Sequence, residues 1–191
     1  MTDISQTTDP TLPVRRRRAP VIAGAVAFVV VLLIVLLAQS PRDDQRQDAT
    51  PLVGRLAPAI LATDTSGAKF DLDSLRGGWV LVNFFATWCA PCKAEQPELV
   101  QWADSRSGGS ASIVSVSFND RPAAVRDFFR ANGGDWPVIA EGNAQIALDY
   151  GVIKLPESYL VAPSGVIVAK FNGGVRAAEL DTVIAKVEGA K

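Results

Sequence analysis

Hydrophobic positions in this chain form one long unbroken run and then a series of short ones. The long run, VIAGAVAFVVVLLIVLLA from Val21 to Ala38, holds eighteen residues with neither a charge nor a hydroxyl. As a helix it would span about 27 Å, close to the hydrocarbon thickness of a bilayer, which predicts a transmembrane anchor. Residues 39–52 are polar, carry Pro41 and Pro51, and predict a linker. From Val53 onward the period changes. Ile60, Leu61, Phe70 and Leu72 flank the turn-rich TDTSGAK, predicting a small hairpin followed by one helical turn at DSLRG. WVLVNFFA, residues 79–86, is almost wholly apolar, the pattern of a strand buried on both faces of a parallel sheet.

Between Ala90 and about Ser105, Leu99, Val100 and Trp102 fall among Lys93, Glu95, Glu98, Gln101 and Asp104, which predicts a helix with one wet side. SIVSVSF, 112–118, reads as a second buried strand, and PAAVRDFFRAN, 122–132, as a second helix stopped by Gly133 and Gly134. A short strand at 137–140 and a helix around 143–150 follow. PESYLVA and VIVAKFN, joined by Pro163, Ser164 and Gly165, predict an antiparallel pair. A last helix is expected from about Ala177 to Val187. This order predicts an α/β domain over residues 53–188, three layers deep, with a mixed sheet covered by helices on both faces.

Charge orients the chain. Arg15 to Arg18 precede the apolar run and mixed charges follow it, so residues 1–20 are expected in the cytoplasm and the domain outside, on a single-pass protein of the cell membrane. A cleaved signal peptide is the alternative. The run exceeds the usual core of about 7–15 residues, and Leu36 stands where a cut after Ala38 would want a small side chain. Beyond residue 20 there are fifteen bases against eighteen acids and no basic run, which argues against a nucleic-acid partner. Histidine is absent from the whole sequence, removing the commonest general base, zinc ligand and haem ligand.

The candidate chemistry lies in FFATWCAPCKAEQPEL, which holds the only two cysteines, Cys89 and Cys92. Random placement would give this spacing about once in a hundred chains. A zinc site needs four ligands, and there is neither a second CxxC nor a histidine; covalent haem attachment wants histidine where Lys93 stands. Two readings of the pair remain, a structural disulfide and a redox centre. A bridge over two residues closes too small a loop to stabilise much. The redox reading accounts for the setting, because Cys89 enters a helix whose free N–H groups and dipole favour a thiolate by about 0.3–1 kcal/mol. Pro91 is tolerated in that first turn. Trp88 is placed either to shield the sulfur or to pack at half exposure.

VLVNFFATWCAPCKAEQPEL resembles the active-site strand and helix of the thioredoxin superfamily. Pro97 falls where that family kinks its long helix, and Leu155-Pro156 where it places a cis-proline facing the disulfide. LVGRLAPAI, GAKFDLDSLRGGWVLVNFFATWC and the helix after VSVSFND resemble the membrane-anchored TlpA, ResA and CcmG (DsbE) branch. The resemblance implies a thioredoxin-like fold in which Cys89 is the nucleophile and Cys92 the resolving thiol of a redox disulfide. It implies substrate contacts at Trp88, Pro91, Leu155 and a cis Pro156. Thioredoxin carries a buried aspartate six residues before its first cysteine; here Asn83 stands there and cannot carry a proton. The branch has an acid three residues after the second cysteine, Glu95 here, and CcmG-like members have one after the cis-proline, Glu157 here. Either is a candidate proton acceptor, or a solvated surface charge.

What the resemblance implies for function is a membrane-anchored thiol:disulfide oxidoreductase without cofactor or metal. It would reduce protein disulfides such as the CxxCH of apocytochrome c, with electrons from a membrane donor of the CcdA/DsbD type. The alternatives are a thioredoxin-like Cu(I) carrier for oxidase assembly, left with only two thiolates as ligands, and a general extracytoplasmic oxidant. A peroxiredoxin would need Thr-x-x-Cys, and Phe85 and Ala86 precede Thr87 instead.

Overall fold

Strand β3 (Trp79–Phe85) organises the molecule, because all seven of its residues are buried. In a computed structural model describing residues 26, 28–33, 52–106, 108–141 and 144–190, it is the middle strand of a five-stranded sheet. On one side it pairs in parallel with β4 (Ala111–Phe118), itself parallel to β5 (Val138–Glu141). On the other it pairs antiparallel with β6 (Glu157–Val161), which pairs antiparallel with β7 (Ile167–Asn172). A strand with neighbours on both edges and layers on both faces has no wet side, hence its unbroken apolar run.

Alternation along β3 builds two cores. Val80, Val82 and Phe84 face Tyr150, Tyr159, Ile60, Phe70 and Ile167. That face is covered by the hairpin of β1 (Leu61–Thr63) and β2 (Lys69–Asp71), the 3-10 turn Leu72–Leu75 and the short helix α3 (Gln145–Asp149). On the opposite face, Leu81 packs with Leu99 and Trp102 of α1 (Ala90–Ser105) and with Leu180 and Ile184 of α4 (Ala177–Glu188). Helix α2 (Pro122–Asn132) packs Val125 and Phe128 beside Phe85 on this same side. Crossovers from β3 to β4 and from β4 to β5 run in one direction, and right-handedness puts both helices on one face.

Two clusters of chain are distinguishable, residues 1–44 and 45–191. Within the first, Val26 and residues 28–33 are helical and exposed. The rest of the apolar run, the tail 1–20 and most of the linker lie outside the described residues. Among the described residues no helix is long and apolar enough to cross a membrane.

The reading of α1 as a helix with a wet side through Glu95 is corrected: Glu95 and Gln96 are each 3 % exposed. The chain before α4 and the Gly133 turn cover this part of the helix, supplying Val175 N–H to Glu95 and the Gly133 carbonyl to Gln96. Glu157 is buried too, at 0 % exposure, and is not a solvated charge. Its Oε2 lies 3.1 Å from Lys170 Nζ, which sits 5.4 Å from the centroid of the Tyr159 ring. Burial pushes the lysine down, but Glu157 and Tyr159 outweigh it and hold the ammonium above the usual range. Removing one member of a buried pair strands the other charge. Lys170→Met should lower unfolding stability by about 3–5 kcal/mol in urea titrations, and adding Glu157→Gln should recover most of the loss.

Candidate active site

The strand-to-helix junction after β3 is shaped by a single carboxylate. Asp120, just past the left-handed Asn119 (φ 53°), accepts the Thr87 N–H at 2.7 Å, the Thr87 hydroxyl at 2.6 Å and the Ser117 hydroxyl at 2.8 Å. Thr87 is thereby tied to the end of β4, and the backbone turns so that Cys89 N–H reaches the Ala86 carbonyl. Cys89 is then the N-cap of α1, extended at φ −82° and ψ 112°, and its sulfur accepts the Cys92 N–H at 3.3 Å. Pro91 occupies the first turn, where no intrahelical partner is lost. Helix α1 continues unbroken through Pro97.

Cys89 and Cys92 are joined as a disulfide with Cα atoms 5.3 Å apart. Both are buried, against Phe85, Ala86, Val125 and Phe128. Only Cys89 lines a cavity of about 480 Å³, walled by Trp88, Pro91, Phe118, Ile153 and Leu155 among others. Trp88 and Ile153 stand at its rim, 60 % and 82 % exposed. The cavity brings together Trp88, Cys89, Pro91 and Leu155. Pro156, after a cis peptide bond, is buried outside its lining.

One helical turn beyond Cys92, Glu95 enters the interface between α1 and the sheet. Its Oε1 accepts the Asn83 amide N–H at 2.9 Å and its Oε2 the Val175 N–H at 3.1 Å. Burial raises its pKa from the ordinary carboxylate range to about 7, against the opposing pull of these two donors. The other candidate acid lies elsewhere. Glu157 pairs in register with Phe84, whereas its neighbour Ser158 pairs with Asn83 and accepts the Asn83 amide at 3.0 Å. Successive strand residues face opposite ways, so Glu157 is on the Tyr159 face and Glu95 on the α1 face.

Sequence reasoning passed over Asp120 and Ser158. Asp120 enters that reading only as the last residue of VSVSFND, although an acid after a strand end is suited to receive loop N–H groups. Ser158 stands in an otherwise apolar run, and a hydroxyl in a strand buried on both faces has to meet a polar partner.

A disulfide at a helix N-terminus, one sulfur bordering a cavity and a buried acid one turn behind, defines a thioredoxin-fold thiol-disulfide exchange centre. The comparisons agree with that class. The chain belongs to the AhpC/TSA family, whose model matches residues 53–170. It is 35 % identical over 121 residues to the thiol-disulfide oxidoreductase ResA of Bacillus subtilis, covering 63 % of this chain and 67 % of ResA. To the thiol:disulfide interchange protein HelX of Rhodobacter capsulatus it is 32 % identical over 135 residues, 69 % and 74 % of the two chains. The thioredoxin domain of a thiol-disulfide oxidoreductase from Bacteroides vulgatus superposes with a TM-score of 0.64 at 26 % identity, over 72 % of this chain and 99 % of that one. Its activity class is accordingly that of a thiol-disulfide oxidoreductase.

The raised pKa of Glu95 has a consequence for stability. Between the unfolded value near 4.5 and the folded value near 7, the native protein holds a proton the unfolded chain has lost. The contribution is complete below the lower value and declines as pH rises through the upper one, by about 3 kcal/mol in all. Urea titrations from pH 4 to 8 should show this decline in the parent and lose it in Glu95→Gln.

Proposed function

We propose that this protein is a membrane-anchored, extracytoplasmic reductant of protein disulfides, with the CxxCH pair of apocytochrome c as its substrate. The observation that carries the thiol chemistry is the asymmetry of the pair: Cys89 borders the cavity, whereas Cys92 is enclosed with Glu95 one turn away. In the reduced protein the Cys89 thiolate attacks one sulfur of a substrate disulfide, forming a mixed disulfide and releasing the other substrate sulfur as a thiolate. Cys92 then gives its proton to the Glu95 carboxylate and attacks Cys89. The second substrate thiolate leaves, two electrons have passed to the substrate, and Cys89–Cys92 is oxidised. Trp88, Pro91 and Leu155 hold the substrate chain over Cys89, with Pro156 presenting backbone beside them. Glu157, paired with Lys170 on the other face, supports the Pro156 segment.

The maturation role, the donor and the location rest on other support. Val21 to Ala38 is long and apolar enough for an anchor, and Arg15 to Arg18 favour a cytoplasmic N-terminus. Resemblance to the ResA and CcmG branch supports apocytochrome c as substrate and a CcdA/DsbD-type membrane thiol transporter as donor. The Ala-Pro dipeptide between the cysteines is closer to thioredoxin's Gly-Pro than to the Pro-His of strong oxidants, which favours reduction.

In cells, Cys92→Ser should accumulate mixed disulfides through Cys89, and Cys89→Ser should trap none. Cytochrome c precursors should be among the trapped proteins; recovery of no mixed disulfide would sink the mechanism. A measured potential near about −120 mV, the oxidising end of the known range, would reverse the direction.

A further inference from the structure

Three adjacent strands place one polar side chain each in a single row across the sheet. Ser115 of β4 pairs in register with Asn83 of β3, which pairs with Ser158 of β6. None exceeds 1 % exposure. Buried polar groups are costly unless partnered, so the row has to form a connected network. Asn83 Nδ2 donates to Glu95 Oε1 and Ser158 Oγ, and Asn83 Oδ1 receives the Ser115 hydroxyl at 3.4 Å. Ser115 Oγ in turn accepts the indole N–H of Trp136 at 2.9 Å.

The direction of this chain is held at both ends. An indole nitrogen can only donate, so Ser115 gives one of its lone pairs to Trp136 and its own proton reaches Asn83 Oδ1, while the Asn83 NH2 is occupied by Glu95 and Ser158. The Asn83 carbonyl then faces Ser115 and its NH2 faces Glu95. A protonated Glu95 donating to Asn83 would require the amide to turn over, which breaks the Ser115 O–H to Asn83 Oδ1 bond and asks an oxygen already accepting from Trp136 to accept a second time. Trp136 is itself held in place, edge-on to Phe129 with ring centroids 5.7 Å apart. Gly134 leaves room for it: a Cβ there would lie 2.8 Å from the indole, and φ is +108°.

We propose that Trp136 and Ser115 are positioning residues that lock the Asn83 amide with its N–H groups toward Glu95, and so hold Glu95 as the carboxylate that receives the Cys92 proton. The proposal rests on the assignment of Glu95 as that acceptor. Other groups around Glu95 come from each packed element. On α1 they are the thiols of reduced Cys89 and Cys92, and Glu98, which accepts the Ala177 N–H at 3.0 Å. On the chain before α4 they are the Val175 N–H and, exposed beyond it, Arg176. Among the described residues no lysine or arginine forms an ion pair with Glu95. Burial sets its proton affinity high, and the Asn83 and Val175 hydrogen bonds supply the opposing pull.

The test is a carboxyl-carbon NMR titration of Glu95 in the full-length oxidised protein in detergent micelles, assigned with Glu95→Gln. Trp136→Phe keeps an aromatic ring against Phe129 but removes the donor together with the indole's second ring; Ser115→Ala removes the relay hydroxyl and Ser115→Thr retains it. Trp136→Phe and Ser115→Ala should each raise the Glu95 midpoint by roughly 0.5–1 unit, the worth of one net hydrogen bond, and Ser115→Thr should stay near the parent. Shifts below roughly 0.2 unit in both the Phe and Ala variants, or a Thr variant shifted as far as Ala, overturn the proposal. The pH profile of disulfide reduction, measured on the same variants, separates the two ideas. If the midpoint moves and the profile does not follow, the positioning stands and Glu95 is not the proton acceptor.

Discussion

A carboxyl group placed between a helix and the central sheet must be hydrogen-bonded or neutral, and Glu95 is in that position. Its two acceptor atoms take the side chain of Asn83 from β3 and the backbone of Val175 from the chain before α4. That demand joins three parts of the molecule. Gly174 lies against it, since a Cβ there would be 3.5 Å from Glu95 Cβ and 3.7 Å from Oε2. The β3–β6 register matters as well, because Ser158 has to stand opposite Asn83 for the amide to be satisfied. The disulfide is thus mounted on a helix whose first turns are bonded to the sheet and to the C-terminal chain, in addition to packing on them.

Glu95 and Glu157 are the same residue type, both buried, with opposite surroundings. Glu95 meets only neutral donors and is pushed up to about 7. Glu157 meets the ammonium of Lys170, set over an aromatic ring on the other face of the sheet. A step of one residue along β6, from Glu157 to Ser158, is a change of face and therefore of chemistry. Proximity in sequence to Pro156 gave no indication of this.

Around the disulfide, rigidity and access are supplied by different residues. Asp120 pins Thr87 through charge-assisted hydrogen bonds from the end of β4, fixing the approach of the chain to Cys89. The cavity wall comes from Phe118 at the end of β4, from Trp88 and Pro91 beside the cysteines, and from the segment before β6 that carries Ile153 and Leu155. The C-terminal ends of the parallel strands β3 and β4 meet there with the chain entering antiparallel β6, at the edge where an open α/β sheet has its crevice.

Much of the architecture was legible in the chain. The apolar run of β3, the amphipathic patterns of α1 and α2 and the turn at Pro163 to Gly165 each express a local period or a local turn preference, so their limits match the observed ones to within a residue or two. The CxxC at a helix entrance was legible for the same reason, since three residues of spacing and one strand-to-helix switch are local facts. Which charged residues are wet was not. Glu95 sits at a helix position that reads as surface, and only covering chain about eighty residues away in sequence buries it. Ser115, Asn83 and Ser158 lie 32 and 75 residues apart, and only the pairing register makes them one row. The sequence by itself determined the strands, the helices and the position of the two sulfurs, because these depend on neighbours along the chain. The tertiary structure alone decided the state of the acids beside them, because solvation and hydrogen-bond partners come from whatever packs there.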